Sequence, residues 1–285
     1  MPVRIASDST GSFSPELAEK FGIEVLPYYV IKNGKSFKED LDFDRLKYYE
    51  ELAQDKGLPT TSHPNLEDII SLYQRLLSSS SEPILHLAIS SKYTLTYELA
   101  LKAKDKFPEA DITVFDTKSA TAQQGLMALE ASRLARSGKS VPEIVNDLEA
   151  ERGRFNEVIC LNTLEYLARG GRIGKAAKFL GSLLSIKPLV GFDNDGETGA
   201  IGRARTHEDA LKFILKKISS DLDRFHGKSL RVIIEDAGNK SQADLAEQAL
   251  RENFPVDELY HTHISVVSGT HIGPGAWGVA YYIPF

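Results

Sequence analysis

The run Ile84-Leu85-His86-Leu87-Ala88-Ile89, with the segments on its C-terminal side, decides the fold. A helical pattern continues through Lys106, Ile112-Thr113-Val114-Phe115 is a second apolar run, and Thr121–Arg136 is a second helical pattern. Each apolar run has strand length and reads as buried on both faces, and each is followed by a crossover long enough for a helix. Repeated alternation of this kind builds a parallel sheet covered by helices on both sides.

The pattern extends outward in both directions. Val3–Ala6 reads as a strand ending in Ser7-Asp8-Ser9-Thr10, and Ser14, Pro15 and Gly22 are the cap, first turn and stop of a helix. Ile23–Ile31 reads as one strand turned by Asn33-Gly34, and Asp42–Lys56 as a helix closed by Gly57 and Pro59. Asn65 and Asp68 open a helix whose stripe is Ile69, Leu72, Tyr73 and Leu76, and Ser140 with Glu143 makes a capping box. Beyond Gly153-Arg154 the pattern changes. Val158–Leu161, Leu189–Phe192, Ala200–Arg205, Leu230–Glu235 and Glu258–Val266 read as strands, with Asp193-Asn194-Asp195-Gly196 as a turn. Ala176–Leu184, a segment opened by Thr206 and Asp209, and Ser241–Asn253 read as helices. The expected architecture is α/β in two domains. Residues 1–153 form an N-terminal, three-layer, parallel-sheet domain, and residues 154–285 a C-terminal mixed α+β domain.

Composition bounds the function. A length of 285 residues suits two domains, and a net charge of −6 argues against a nucleic-acid binder, which needs clustered positive charge. The single cysteine, Cys160, leaves no disulfide framework or cysteine-built metal site and reads as a core residue; this fits a cytoplasmic location. No apolar h-region opens the chain and no apolar run approaches about 18 residues, so neither secretion nor membrane spanning is indicated.

Polar clusters recur where strands end: Asp8-Ser9-Thr10, Thr60-Thr61-Ser62-His63, Ser90-Ser91 with Thr94 and Thr96, and Asp116-Thr117 with Ser119. Each residue type is also an ordinary helix cap. As a set they suit an anionic headgroup, because hydroxyls and amides donate hydrogen bonds without burying a second full charge. They include no strong base, so binding is favoured over catalysis. Gly170-Gly171-Arg172-Ile173-Gly174 can set an arginine beside an anion, or be a plain turn. Gly273-Pro274-Gly275-Ala276-Trp277-Gly278 spells the dinucleotide pattern but has no βαβ context after it, and no P-loop or G-x-S-x-G elbow is present. His261 and His263 read as a solvated strand face rather than metal ligands, and His271 stands out as a histidine presented by a glycine-rich loop.

These residues carry a likeness. The chain resembles the DegV family, which includes the fatty-acid-binding subunits of bacterial fatty acid kinase, over essentially its whole length. The matching segments are Ser7–Thr10, Thr60-Thr61-Ser62-His63-Pro64, Ile89-Ser90-Ser91, Val114–Thr117, Leu164–Gly174, Ile186-Lys187-Pro188 and Gly269–Gly275. The resemblance implies a carrier with no catalytic residues, metal or cofactor of its own. It would hold one long-chain fatty acid between its two domains, with the tail in an apolar tunnel. A separate kinase subunit would phosphorylate the carboxylate to an acyl phosphate, with transient contact to a membrane surface. Carried over by position, Thr61, Ser62, Thr94 and His271 would hold the carboxylate, and Arg172 and Arg205 would face the partner and the phosphate. Phe179, Leu180, Leu183, Leu184 and Ile186 would offer the tunnel its apolar surface. Thr94-Leu95-Thr96 departs from the family Ser-Gly-Thr, His63 from its glutamine and Asn65 from its serine, so a leucine side chain is expected beside the headgroup. The alternative is an enzyme acting on a small anionic metabolite through Asp8, Asp116 and His271.

Overall fold

The computed structural model describes residues 3–54, 59–179 and 186–285. In chain order, its first part contains β1 (Arg4–Asp8), α1 (Pro15–Phe21), β2 (Ile23–Leu26), β3 (Tyr29–Lys32), β4 (Lys35–Lys38), α2 (Arg45–Gln54), β5 (Thr60–Ser62), α3 (Leu66–Ser79), β6 (Ile84–Ala88), α4 (Thr96–Lys104), β7 (Ile112–Asp116), α5 (Thr121–Arg136) and α6 (Val141–Glu151). There follow β8 (Phe155–Cys160), α7 (Glu165–Arg169), β9 (Lys187–Phe192), β10 (Thr198–Ala204), α8 (His207–Phe225), β11 (Leu230–Asp236), α9 (Lys240–Asn253), β12 (Val256–His263), α10 (Val266–Ile272) and β13 (Trp277–Tyr282).

A four-stranded parallel sheet runs β2-β1-β6-β7. Alternation along β6 sends Ile84 toward α3 and α4, and Leu85 and Leu87 toward α1 and α5, so one strand feeds two cores. The N-terminal half is the expected three-layer unit. Several caps form as read: Ser14 accepts from the Leu17 amide, Gly22 closes α1 at φ +62°, and Asn65/Asp68, Ser140/Glu143 and Thr206/Asp209 make reciprocal boxes. The second sheet has six strands in the order β10-β9-β8-β13-β11-β12, antiparallel except for β11 with β12. Its outer face is covered by α8 and α9, through Ile214, Ile218, Ala243 and Ala246.

Helix α5 joins the two sheets. Nearly every residue along it is buried, because Leu126 and Met127 share one core with Leu85 and Leu87 of the first sheet and Ile233 and Ala280 of the second. Gly125 is required there, since a Cβ would lie 2.5 Å from the Gly11 carbonyl oxygen.

Five differences from the expected pattern stand out. Ile23–Ile31 is two strands, not one: the chain breaks at Pro27-Tyr28, and β3 leaves the parallel sheet to form an antiparallel sheet β4-β3-β5. Asn33-Gly34, at φ +51° and +72°, is the tight hairpin turn of that sheet. Thr60–Ser62, read only as part of a polar cluster at a strand end, is its third strand. His271 lies on a helix, α10, not on a loop, and β13 was not anticipated at all. Gly174–Phe179 is a 3₁₀ turn where a longer helix was expected; Leu180, Leu183 and Leu184 lie outside the described residues, as does the side chain of Phe179.

Candidate functional site

A cavity of about 280 Å³ opens between the two large sheets, just below the ~300–1,000 Å³ that ligand sites span. Its apolar wall comes from Ile89 after β6, Ile159 on β8, Val190 and Phe192 on β9, Leu167 on α7, and Val267 and Ile272 on α10. Thr61, Ser62, His63, Thr94, Arg172, Ser268 and His271 also line it, with Tyr28. Five of the six expected site residues therefore meet in one cavity, although they come from four separate stretches of sequence.

Local chemistry builds this polar group. Pairing of Val30 on β3 with Thr61 fixes β5. Helix α10 is held at its start by the buried carboxylate of Glu39, which accepts from Ser265 Oγ at 2.7 Å and the Val266 amide at 2.8 Å. Tyr48 and Thr270 share a hydrogen bond of 2.6 Å further along. These contacts bring His271 Nε2 to 2.7 Å from Thr61 Oγ1. The other ring nitrogen, Nδ1, is buried with no hydrogen-bond partner. A proton on Nδ1 would be an orphaned buried donor, which is rarer than an under-satisfied acceptor. The Nε2–H tautomer follows: His271 donates to Thr61 Oγ1, and the Thr61 hydroxyl hydrogen is left for a ligand. Burial, with the nearby charge of Arg172 as the second cause, pushes the His271 pKa down to about 4. The ring is therefore neutral at neutral pH.

The Gly170-Gly171-Arg172 segment is the counterpart. Gly171 at φ +71° ends α7; its amide donates to Ala168 O and the Arg172 amide to Leu167 O, the paired bonds of a Schellman cap. Gly170 has an ordinary helical φ of −73°, yet a Cβ there would sit 2.0 Å from His271 Nδ1. Glycine is needed at that position for space. Arg172 Nη1 donates to Gly170 O at 2.6 Å and Nη2 to Tyr93 O at 3.4 Å, which turns the guanidinium along the cavity wall. Tyr28, fully buried and with its pKa pushed well up by desolvation, lies 3.5 Å from Thr94 Oγ1 and also bonds Thr96.

Arg205 is placed elsewhere: it is exposed after β10 and does not line the cavity. Asp8 and Asp116 are also outside the lining. Asp8 is buried, accepting from the Ile89 and Thr10 amides, with desolvation raising its pKa to about 6; Asp116 accepts from Ser91 Oγ at 2.7 Å. The constellation Asp8–Asp116–His271 does not assemble around the cavity. Leu95 is 59% exposed, so its side chain leaves the headgroup region instead of crowding it. Ile186 is not in the lining, and His261 and His263 pair with Glu247 at 2.7 Å and Asp236 at 3.3 Å. Among the described residues no group of histidine, cysteine and carboxylate ligands could hold a metal, and no helix is long and apolar enough to cross a membrane. Cys160 is buried, and burial pushes its thiol up to about 11. Tyr28, Tyr93 and Thr198 were missed as lining residues; Tyr93 and Thr198 share a 2.7 Å hydrogen bond across the cavity wall.

Residues 2–283 match the model of the DegV family, described as an uncharacterised protein family. A DegV domain-containing protein of Clostridium acetobutylicum is 32% identical over 99% of this chain and 98% of its own length. Among solved structures, a DegV family protein from Thermus thermophilus, described for its fatty acid binding, superposes with a TM-score of 0.92 at 31% identity, covering both chains fully. DegV of Bacillus subtilis, described as a fatty acid binding protein, superposes at 0.87 with 28% identity, again over the whole of both chains.

Proposed function

Since this chain belongs to the DegV family, we propose that its cavity holds one long-chain fatty acid and presents the carboxylate to a separate ATP-dependent kinase subunit. The observation that carries the reading is the meeting of Thr61, Thr94, His271 and Arg172 around one cavity whose remaining wall is apolar. A carboxylate there would accept from the Thr61 and Thr94 hydroxyls, while His271 acts behind Thr61 by fixing which way its hydroxyl points. Ser62 offers a further hydroxyl, although it donates to His63 O at 3.1 Å as placed. Arg172 supplies the positive charge that neutral hydroxyls lack. The tail would lie against Ile159, Val190 and Phe192, each buried CH₂ contributing about 0.8 kcal/mol.

Placement supports a division of labour. Arg172 acts on the headgroup, and Arg205, exposed beyond β10, is left to face the kinase. In this reading the protein serves as a carrier: His271 is a weak base held behind Thr61, and the other lining histidine, His63, is bonded through Nδ1 to Pro64 O. The position of the carboxylate between residues 1–153 and residues 154–285 lets a partner reach it at the domain boundary. The reading also includes a cytoplasmic location and brief contact with a membrane surface during loading.

The test is denaturing extraction of purified protein followed by mass spectrometry. Fatty acid near one per chain is the expected result. A small polar metabolite at that stoichiometry, or no lipid even after incubation with excess oleate, would overturn the reading.

A further inference from the structure

Two buried carboxyls behind the cavity wall have no part in holding the ligand. Glu157 on β8 and Glu235 on β11 both point from the inner face of the six-stranded sheet. One strand, β13, separates them, and it places Ala280 opposite Glu157 and Gly278 opposite Glu235. These small residues leave room for the two carboxyls to approach over the strand, where each acts on the other and each keeps a buried Oε1 that no other group satisfies.

The pair also supplies what α5 lacks. The residue before α5 is Ala120, which has no side chain to cap it. Instead, the Ala122 amide donates to Glu235 Oε2 at 3.1 Å and the Gln123 amide to Glu157 Oε2 at 3.4 Å. Thr121 Oγ1 donates to Glu157 Oε2 at 2.5 Å. Thr121 stands at φ +56°, a strained conformation for a β-branched residue, which persists only where surroundings enforce it. Thr121 and Ala120 line the cavity. The C-terminal sheet thus holds a strained piece of cavity wall that belongs to the N-terminal half.

Two carboxylates in contact away from water cannot both carry a charge cheaply. Desolvation and mutual repulsion push Glu157 well above the usual range, and desolvation raises Glu235 to about 7. Other groups acting on the pair come from each neighbouring element. Ser12, after β1, and Arg45 on α2 both hold Glu235 down, Arg45 through space while ion-paired with Glu39 at 3.4 Å. Tyr49 on α2 and Tyr93 after β6 feel Glu235 and Glu157 in turn, and burial pushes both phenols up, so they stay neutral. From β13 and the rest of α5 the facing residues are uncharged.

We propose that Glu157 and Glu235 hold one proton between them and act as a clasp that positions Ala120 and Thr121 in the cavity wall, so that loss of this proton loosens the wall and weakens ligand binding. The inference rests on the fatty-acid reading of the cavity. Both glutamates are positioning residues that act through α5.

The experiment measures Kd for cis-parinaric acid, a fluorescent long-chain fatty acid, from pH 6.5 to 9.5, in the wild type and in Glu157→Gln. Backbone hydrogen exchange at Ala122 and Gln123 is followed in parallel without ligand, corrected for intrinsic rate. In the wild type, Kd should rise above about pH 7.5, by at most about tenfold per pH unit for one proton, with protection at the two amides falling over the same interval. Glu157→Gln, which has no proton to lose there, should flatten both profiles. A wild-type Kd and protection that stay level to pH 9.5 would overturn the clasp, as would an equal rise in the variant. No binding at any pH would sink the fatty-acid reading, while the exchange data would still decide the clasp. Should the variant fail to fold, the wild-type exchange profile decides alone.

Discussion

Replacing Gly170 with alanine perturbs the site by one methyl group. The backbone at Gly170 is helical, so the new residue brings no φ strain, and reduced unfolded-state entropy, worth about 0.4–1 kcal/mol, offsets part of the cost of its contact. The effect on binding comes from contact alone. The Cβ would lie 2.0 Å from His271 Nδ1, 2.9 Å from Cε1 and 3.2 Å from Cγ, so the ring must shift. A shift away from Gly170 disturbs the 2.7 Å bond to Thr61, frees the Thr61 hydroxyl to rotate, and spoils its aim at the carboxylate. A hydrogen bond to a charged group contributes about 1.5–3 kcal/mol, so fatty acid Kd should rise about 10- to 150-fold. Titration of cis-parinaric acid into Gly170→Ala, His271→Ala and the double variant separates this route from general damage. Removing the imidazole makes room for the methyl, so the double variant should bind no worse than His271→Ala, a clear departure from additivity. Affinity within about twofold of wild type in Gly170→Ala, or additive losses in the double variant, would refute the argument.

Other outcomes follow from the same geometry. Arg172→Ala should lower fatty acid affinity at least about tenfold, as loss of a charged partner does, whereas Arg205→Ala should keep bound lipid and lose kinase-coupled turnover; equal lipid retention in both would reverse the assignment. Leu95→Ala should leave affinity within about twofold, because an exposed side chain makes no contact that the ligand needs; a larger change in titration would show that Leu95 folds back over the headgroup. His86 is buried against the Tyr73 hydroxyl at 2.8 Å, and burial pushes its pKa down to about 4. Between about pH 6.5 and 4 the unfolded chain therefore binds the extra proton, and stability from this group is present above that window and lost as pH falls through it. Urea unfolding of wild type and His86→Asn at pH 7 and 5 should show the variant's relative stability improving by about 2 kcal/mol at the lower pH; an unchanged difference would mean that His86 is charged in the fold.

The parallel half of the molecule was readable because its signals are local. Strand β6 is buried on both faces and, His86 apart, apolar, and Asn65, Ser140 and Thr206 each carry their acidic partner three residues on. The sequence also grouped Thr61, Thr94 and His271, but through family likeness: their convergence depends on β5 pairing with β3 and on α10 docking under Glu39, neither of which leaves a local pattern. Strand β13 escaped because Trp277-Gly278-Val279-Ala280-Tyr281-Tyr282 follows two glycines and has no polar alternation, being buried on both faces. The family likeness implies that Arg172 faces the partner and the phosphate. Its side chain follows two carbonyl oxygens, Gly170 and Tyr93, along the cavity wall, a path no local pattern announces. Tyr28 was hidden inside an apparent single strand, where only Pro27 hinted at the break.

The position of β13 also has a consequence for how the protein is made. It is translated after every other described strand, yet it sits in the middle of its sheet, between β8 and β11. On the ribosome, the parallel sheet can close as soon as β7 has emerged, since all four of its strands are then available. The larger sheet cannot. Until Trp277–Tyr282 leaves the exit tunnel, β8 and β11 present inner edges with unpaired backbone groups and apolar faces, the kind of surface that recruits chaperones or aggregates. The carboxyl pair, the capping of α5 and the cavity wall must all wait for that last strand, so a nascent chain stalled before Trp277 would carry a folded N-terminal sheet and no binding site.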